Sequence, residues 1–360
     1  MITENTFTKD WLLAVNENLG WNRQETQLKN LEKAIVALAL LELLADAKLN
    51  FIFKGGTSLL LLLQKIYRLS IDIDIIFPNP LNDAENVFAH MCSKSTLFTH
   101  FARQERDSDA LLDTEHYKFF YKPFADEVES SYIILDLYRS ANPYSKTLKL
   151  ELDSSILETQ GKNETVHVPD VDSILADKLT AFAPDTIGIS LSATQGHRPK
   201  RIEILKQLFD IGNLFDVAEN VEHIRQTYTN IAWQEIERRR LNITPTHVLR
   251  DSERHVYIIG HAGKVEKPIY EKIAKGYKDF KKFVADLSFD ENQAILSAAK
   301  TAYLISALHC GGKTLEKYNP EFDMEPWSIN DKSCLDLNEY KYGNPEAFFY
   351  WYKALMTKSV

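Results

Sequence analysis

The chain has 360 residues, 44% of them hydrophobic and 26% charged, the balance of an ordinary globular protein and not of a disordered or fibrous one. Its formal net charge of −9 excludes a surface that is basic overall, so any contact with nucleic acid has to come from local patches. The three cysteines (Cys92, Cys310 and Cys334) lack metal-ligand spacing, no basic-then-apolar leader opens the sequence, and no apolar run is long enough for a bilayer, which together predict a reducing, cytoplasmic setting without a membrane partner.

In chain order, Asp10 to Leu19 reads as a short helix. Residues 23 to 48 read as a strong amphipathic one, with Leu28, Leu31, Ile35, Leu38 and Leu41 at helical spacing. Phe51 to Phe53 is a short apolar strand broken by Gly55 and Gly56. Thr57 is placed to cap a following helix over Leu59 to Ile66. Ser70 to Ile76 alternates, with Ile71, Ile73 and Ile75 on one face and Asp72 and Asp74 on the other.

Two carboxylates on one strand face repel unless a cation sits between them, and Mg²⁺ suits such hard oxygen ligands together with substrate phosphates. A glycine turn entering a helix offers backbone N–H groups to a phosphate. Each motif alone is weak: an Asp-x-Asp pair is often a solvated strand face, and Gly-Gly-Thr is often a plain buried turn. Their order as strand, turn, helix and strand is what points to a site. A P-loop is excluded, because Lys54 precedes the glycines instead of following them.

Pro78 and Pro80 end this strand, and Asn82 or Asp83 can cap a helix running to about Ser93. Strands are predicted at Phe98 to Arg103, Tyr117 to Tyr121, Ser131 to Arg139 and Lys146 to Asp153, with an exposed connection over 104–115. Two-metal chemistry commonly takes a third carboxylate from a neighbouring strand. The candidates are Glu151, in Leu-Lys-Leu-Glu-Leu, and Asp136, whose charge interrupts an apolar strand; the first is preferred, and a plain exposed strand face is the alternative.

Val171 to Ala183 is a helix carrying Lys178, by itself an ordinary surface lysine paired one turn away. Residues 184–199 form a loop whose end, His197 to Arg201, is basic. A helix over Arg201 to Ala218 carries Asp210, and another spans Val221 to Leu241 and ends in Arg238, Arg239 and Arg240. Ile269 to Leu287 reads as a helix with Lys272, Lys275, Lys278, Lys281 and Lys282 among Tyr277, Phe280 and Phe283. Those rings either stack RNA bases or, as is commoner, face the core. Asn292 to Leu308 is an apolar helix, and the aromatic tail from Trp327 to Tyr352 docks on the helical half. The fold class is therefore α/β: a mixed sheet with flanking helices in the first half (1–170) and a mainly α-helical second half (171–360).

Lys54-Gly-Gly-Thr-Ser-Leu59 followed by Arg68-Leu-Ser-Ile-Asp-Ile-Asp74 resembles the opening motifs of the AbiEii/AbiGii-type nucleotidyltransferase toxins, members of the DNA-polymerase-β-like nucleotidyltransferase superfamily. The resemblance runs from about residue 30 to about residue 220. Glu151 resembles the acid of a later family strand, and Leu175-Ala-Asp-Lys-Leu179 resembles the family's Leu-Ala-Glu-Lys-Leu. Lys206-Gln-Leu-Phe-Asp-Ile211 departs from its Arg-Asp-Leu-Tyr-Asp-Leu but keeps Asp210. The resemblance implies transfer of a nucleoside monophosphate from an NTP to an acceptor hydroxyl. Asp72, Asp74 and Glu151 would hold two Mg²⁺ ions. Gly55, Gly56, Thr57, Ser70 and Lys178 would hold the triphosphate, and Asp210 would pair with Lys178 or orient the attacking hydroxyl. It further implies the toxin of a bacterial toxin–antitoxin or phage-abortive system, a separately encoded antitoxin, and tRNA 3′ ends as leading acceptor. A protein or small-molecule acceptor, and a silent nucleotide-binding scaffold, are the alternatives.

Overall fold

Seven strands form one mixed sheet: β1 (Ile52–Lys54), β2 (Ile73–Phe77), β3 (Phe98–Gln104), β4 (Thr114–Tyr121), β5 (Ser131–Arg139), β6 (Thr147–Glu151) and β7 (Thr165–Pro169). Their spatial order is β3-β4-β5-β2-β1-β7-β6. The β2–β5 and β1–β7 pairs are parallel, and the remaining neighbours are antiparallel. The computed structural model describes every residue except 22–24, 78–82, 106–113, 127, 192–199, 286–287 and 359–360, with only the backbone of 25 and 26. The expected strand end at Pro78 and Pro80, the Asn82 cap, most of the 104–115 connection, and Gly196 with the basic 197–199 stretch lie outside the described residues.

The chain divides into two units, each assembled from more than one stretch. The first comprises Met1–Asn142, Thr147–Asp170 and Lys282–Leu287; the second comprises Pro143–Lys146, Val171–Lys281 and Ser288–Val360.

In the first unit the two-residue period of the strands decides which face is dry. Phe53, Ile73, Ile75, Tyr117, Phe119, Ile133, Leu135, Leu137, Val166 and Val168 share one buried core with the helix Glu25–Asp46. That helix is buried more completely than a one-faced stripe predicts, since Val36, Ala37 and Leu40 are as inaccessible as Leu31, Ile35 and Leu38. Each such Val, Leu or Ile side chain contributes about 1.5–3 kcal/mol by leaving water. Glu32 is buried on the same helix and accepts hydrogen bonds from the Tyr121 hydroxyl (2.8 Å) and from the backbone N–H groups of Phe124 (2.8 Å) and Ala125 (2.5 Å). The carboxylate thereby ties the helix to the end of β4.

The second unit is helical, and its centre is Glu291–His309, buried nearly all round. It packs against Arg201–Val217, Pro245–Gly260 and Pro345–Lys358. Close approach depends on small residues: a Cβ at Gly212 would lie 2.5 Å from the Ser297 hydroxyl, and one at Gly260 only 2.2 Å from the Trp351 ring. Lys300 is buried between Asp216 (2.7 Å) and Glu346 (3.0 Å), which locks three of these helices together. The aromatic tail docks as expected, with Phe348 and Trp351 fully buried.

The predicted 269–287 helix is instead broken into Lys267–Ala274, Tyr277–Phe280 and a 3-10 turn at Lys281–Phe283. The chain then turns extended to pair with the first unit's own strand entry, where Leu69 N–H donates to the Phe283 carbonyl and Ala285 N–H to that of Tyr67.

Within the second unit His255 is buried beside Asp251, its Nδ1 lying 3.0 Å from both the carboxylate and the carbonyl of that residue. Asp251 also accepts from Asp185 N–H and the Thr186 hydroxyl, each at 2.8 Å, pinning the 183–190 turn to the helix Pro245–Gly260. Burial opposes protonation of His255, but its bonds to Asp251 and the nearby charges of Asp251 and Asp185 outweigh it, leaving the pKa above the ordinary histidine value. A raised folded pKa contributes stability that is whole below the unfolded value of about 6.5 and is lost as pH rises through the folded one. The urea stability of wild type should therefore exceed that of His255→Gln most clearly at acidic pH, with the gap narrowing as pH rises through the His255 titration. A gap that widens toward alkaline pH would refute the assignment.

Candidate active site

The turn Gly55–Ser58 is clasped by residues 68–74. Gly55 has a positive φ of 78°, and a Cβ there would sit 2.2 Å from Asp74 Oδ2, so both conformation and space demand glycine. A Cβ at Gly56 would lie 2.7 Å from Arg68 Nη2 and from Ser70 Oγ. The Thr57 hydroxyl donates to the Asp72 carbonyl at 2.5 Å, and Ser58 Oγ to the Gly55 carbonyl at 2.8 Å. Thr57 is thus not the helix cap that the sequence predicts; its hydroxyl donates across the turn. The helix that follows covers only Leu59–Leu62. Gly55, Gly56, Thr57, Ser70, Asp72 and Asp74 lie together, and Asp72 falls one residue ahead of β2.

The neighbours of Asp74 follow from register. Lys54 stands opposite it on β1 and Asp136 beside it on β5. Tyr138, two residues on from Asp136, donates its hydroxyl to Asp74 Oδ1 at 3.4 Å, and Lys54 Nζ lies 5.0 Å from the Tyr138 ring centroid. Asp136 Oδ1 is 2.6 Å from Nδ1 of the buried His116, its register partner on β4. No spacing rule in the sequence singles out His116; it is found only through the β4–β5 pairing.

Glu151 is not part of this group. It is exposed on β6, with β1 and β7 between that strand and β2. Continuing the registers from Asp74 through Lys54 reaches β6 near Thr147, four residues from Glu151. Strand spacing and rise then separate the two carboxylates by on the order of 20 Å. Of the two sequence candidates for a third carboxylate, Asp136 adjoins Asp74 directly and the preferred Glu151 does not.

Lys178 and Asp210 belong to the second unit. They form an ion pair at 3.2 Å between the helices Val171–Ala181 and Arg201–Val217, with both side chains buried. Asp172, on the first of these helices, accepts from the N–H groups of Glu219 and Asn220. Of the expected basic islands, Arg238 and Arg239 pair with Glu235. Lys272, Lys275, Lys278, Lys281 and Lys282 are exposed. Phe280 is fully buried against Phe209 and Phe289 and offers no face to a base.

Among the described residues Asp185, Asp251 and His255 also bring three donor atoms within 4.8 Å. Arg254, in contact with Asp185, already supplies positive charge there. A cavity of about 420 Å³ opens beyond the helix Leu59–Leu62, lined by Leu60, Gln64, Ile66, Ser154 and Leu157; none of the predicted site residues lines it. Among the described residues no helix is long and apolar enough to cross a membrane.

Register sets hard carboxylate oxygens at Asp74 and Asp136 side by side, with the glycine turn packed against Asp74, and oxygens of this kind suit a divalent cation and a glycine turn suits a phosphate. No curated protein matches the chain significantly. Among solved structures, the nucleotidyltransferase toxin MenT4 from Mycobacterium tuberculosis H37Rv is 15% identical, with 84% of this chain and 99% of that chain covered and a TM-score of 0.45. An antigenic nucleotidyltransferase-like protein from Paracoccidioides brasiliensis is 11% identical, with 61% and 97% covered and a TM-score of 0.35. Both likenesses are too distant to carry argument. The family model described as "Nucleotidyl transferase AbiEii toxin, Type IV TA system" matches residues 39–300, well over half of the chain. The chain belongs to this AbiEii family of nucleotidyltransferase toxins.

Proposed function

We propose that the protein transfers a nucleoside monophosphate from an NTP to an acceptor hydroxyl, with Asp72, Asp74 and Asp136 holding Mg²⁺. The observation that supports this reading best is the parallel pairing of Asp74 with Asp136, with Gly55 packed against the Asp74 carboxylate. Bound there, the cation supplies positive charge against the charge developing on the transferred phosphoryl group. The backbone N–H groups of the glycine turn and the Ser70 hydroxyl meet the triphosphate oxygens. Asp136, held by His116, accepts the proton of the attacking hydroxyl or orients it. For Lys178 and Asp210 a role toward the phosphates rests on the resemblance of their motifs alone. Membership in a toxin family of type IV toxin–antitoxin systems supports a separately encoded antitoxin as partner. RNA, with tRNA 3′ ends first, is the acceptor that the resemblance favours.

Asp72→Ala, Asp74→Ala and Asp136→Asn should each lower nucleotide transfer by more than the roughly 10–100-fold that outer-shell changes at metal sites cost, while Glu151→Gln stays near wild type. Calorimetric titration with Mn²⁺ gives a readout independent of turnover: the first three variants should lose binding and Glu151→Gln should keep it. Retained binding in Asp136→Asn with loss in Glu151→Gln would restore Glu151.

Replacing Lys178 removes a counter-charge from the buried Asp210, a change that costs about 3–5 kcal/mol in comparable pairs. The test therefore compares Lys178→Met/Asp210→Asn with Asp210→Asn alone. NTP affinity should fall further in the double variant; equal affinities would make the pair purely structural.

Expression in a bacterial host should slow growth, and the Asp74→Ala form should not. Harmless expression of both without an antitoxin would remove the support for toxicity.

A further inference from the structure

We propose that the sheet face formed by β3, β4 and β5 is the docking surface for a single-stranded RNA acceptor, laid along the strands toward Asp136. The proposal rests on the nucleotidyl-transfer reading for its direction, but its evidence is a different part of the molecule.

Register puts His100, Ala102 and Gln104 of β3 on one face with His116, Lys118 and Phe120 of β4 and with Tyr132, Ile134 and Asp136 of β5. This is the face that carries Asp74. Its far end is an aromatic array. The exposed His100 ring lies flat on Phe120, centroids 4.4 Å apart and planes within 4°, and Phe120 lies 5.8 Å from Tyr132, which is 37% exposed. Lys118 Nζ stands 4.4 Å from the Tyr132 centroid and Lys33 Nζ 5.5 Å from it. Asp136 is the one acidic residue among these positions, although the chain as a whole carries −9.

Aromatic side chains standing on the solvent side of a sheet are a cost unless something covers them. Folding does not require them here, because the core lies on the opposite face. The combination of ring faces and cations, with Asp136 as the single acid among these β3–β5 positions, matches a strand that presents π-faces and phosphates in alternation. RNA-binding sheets of other folds stack about two or three bases on exposed rings in this way. A duplex does not fit the description, since its bases are already stacked on one another. Direction follows from the strands: Tyr132 lies four residues from Asp136 on β5, about 13 Å, so a strand stacked on the array extends its terminal hydroxyl toward the carboxylates. Among the lysines of 272–282, by contrast, Phe280 is fully buried and offers no ring face.

The test is fluorescence anisotropy of a short fluorescein-labelled oligoadenylate and of a blunt RNA hairpin across a KCl series, with full-length protein and without NTP or divalent metal. His100→Ala/Lys118→Glu should bind the oligoadenylate roughly ten-fold or more weakly, the loss of about one stacked base, and its salt slope should shrink by about 0.7 for the lost phosphate contact. Hairpin affinity and, in a separate titration, NTP affinity should be unchanged. His100→Phe keeps a stacking ring and should bind as wild type does, which separates stacking from misfolding. Unchanged oligoadenylate affinity and slope in the double variant would overturn the proposal. So would wild-type-like binding by His100→Ala/Lys118→Glu together with lost labelling of a protein acceptor, which would make the face a protein-docking surface. If wild type transfers no nucleotide to RNA but binding follows these residues, RNA falls as the acceptor and the face stands as a single-stranded-RNA surface. If transfer occurs and binding ignores them, only the docking surface falls.

Discussion

Parallel pairing of β2 with β5 is the constraint on which the candidate site depends. It sets Asp74 and Asp136 side by side in register, at a strand spacing of about 4.8 Å. Two ionised carboxylates about 5 Å apart repel by roughly 3 kcal/mol at the effective dielectric of a protein surface. A fold would avoid that arrangement if it had nothing to gain from it. The local structure answers the repulsion from several sides: His116 holds Asp136, the Tyr138 hydroxyl reaches Asp74, and Lys54 stands opposite Asp74 on β1. A divalent cation between the carboxylates would answer it most fully, since it attracts both at once.

The glycine turn belongs to the same constraint. Gly55 is required because the carboxylate of Asp74 occupies the space a side chain would take. Gly56 is required by Ser70 and Arg68 on the other side. The turn and the carboxylates are therefore one packed unit, not two motifs that happen to be close in sequence. Thr57 completes it by spending its hydroxyl on the Asp72 carbonyl, which fixes the chain immediately before β2. The return of residues 283–285 to pair with Tyr67 and Leu69 buttresses the entry to the same turn with backbone from much later in the chain.

What the sequence revealed and what it hid divide along one line, local against non-local. The strand–turn–helix–strand order, most helices and the shared orientation of core residues follow from periods of two and 3.6, and these were legible. The choice between Glu151 and Asp136 was not, because both sit in alternating strands and only the sheet order decides which strand adjoins β2. One local signal did exist: Asp136 interrupts Ile-Ile-Leu-Asp-Leu, where a charge is costly without purpose, whereas Glu151 alternates with lysine as any solvated edge does. The 269–287 segment departs from a single helix for a similar reason. Its helical spacing is real, but Gly276 is seated against Leu205 and Arg201, and the chain beyond Phe280 is recruited into pairing with Tyr67–Leu69. The short strand β7 carries no clear sequence signal, because Thr-Val-His-Val-Pro is too brief to establish a period.

One sheet thus serves stability and chemistry through the same alternation. Odd-numbered positions of β2, β4 and β5 enter the core under the Glu25–Asp46 helix, and even-numbered ones carry Asp74, His116, Lys118, Phe120, Tyr132 and Asp136. A one-residue slip of any of these strands would bury a carboxylate or a lysine and expose a phenylalanine or leucine, so the burial energy of the core also enforces the register of the site. That coupling removes the need for the polar residues to hold themselves in place. Asp74 and Asp136 can remain mutually repulsive, and the rings of the outer strands can remain uncovered, because the cost is borne by a core that would be lost if they moved. Function on this face is free to demand unfavourable neighbours to the extent that the other face is well packed.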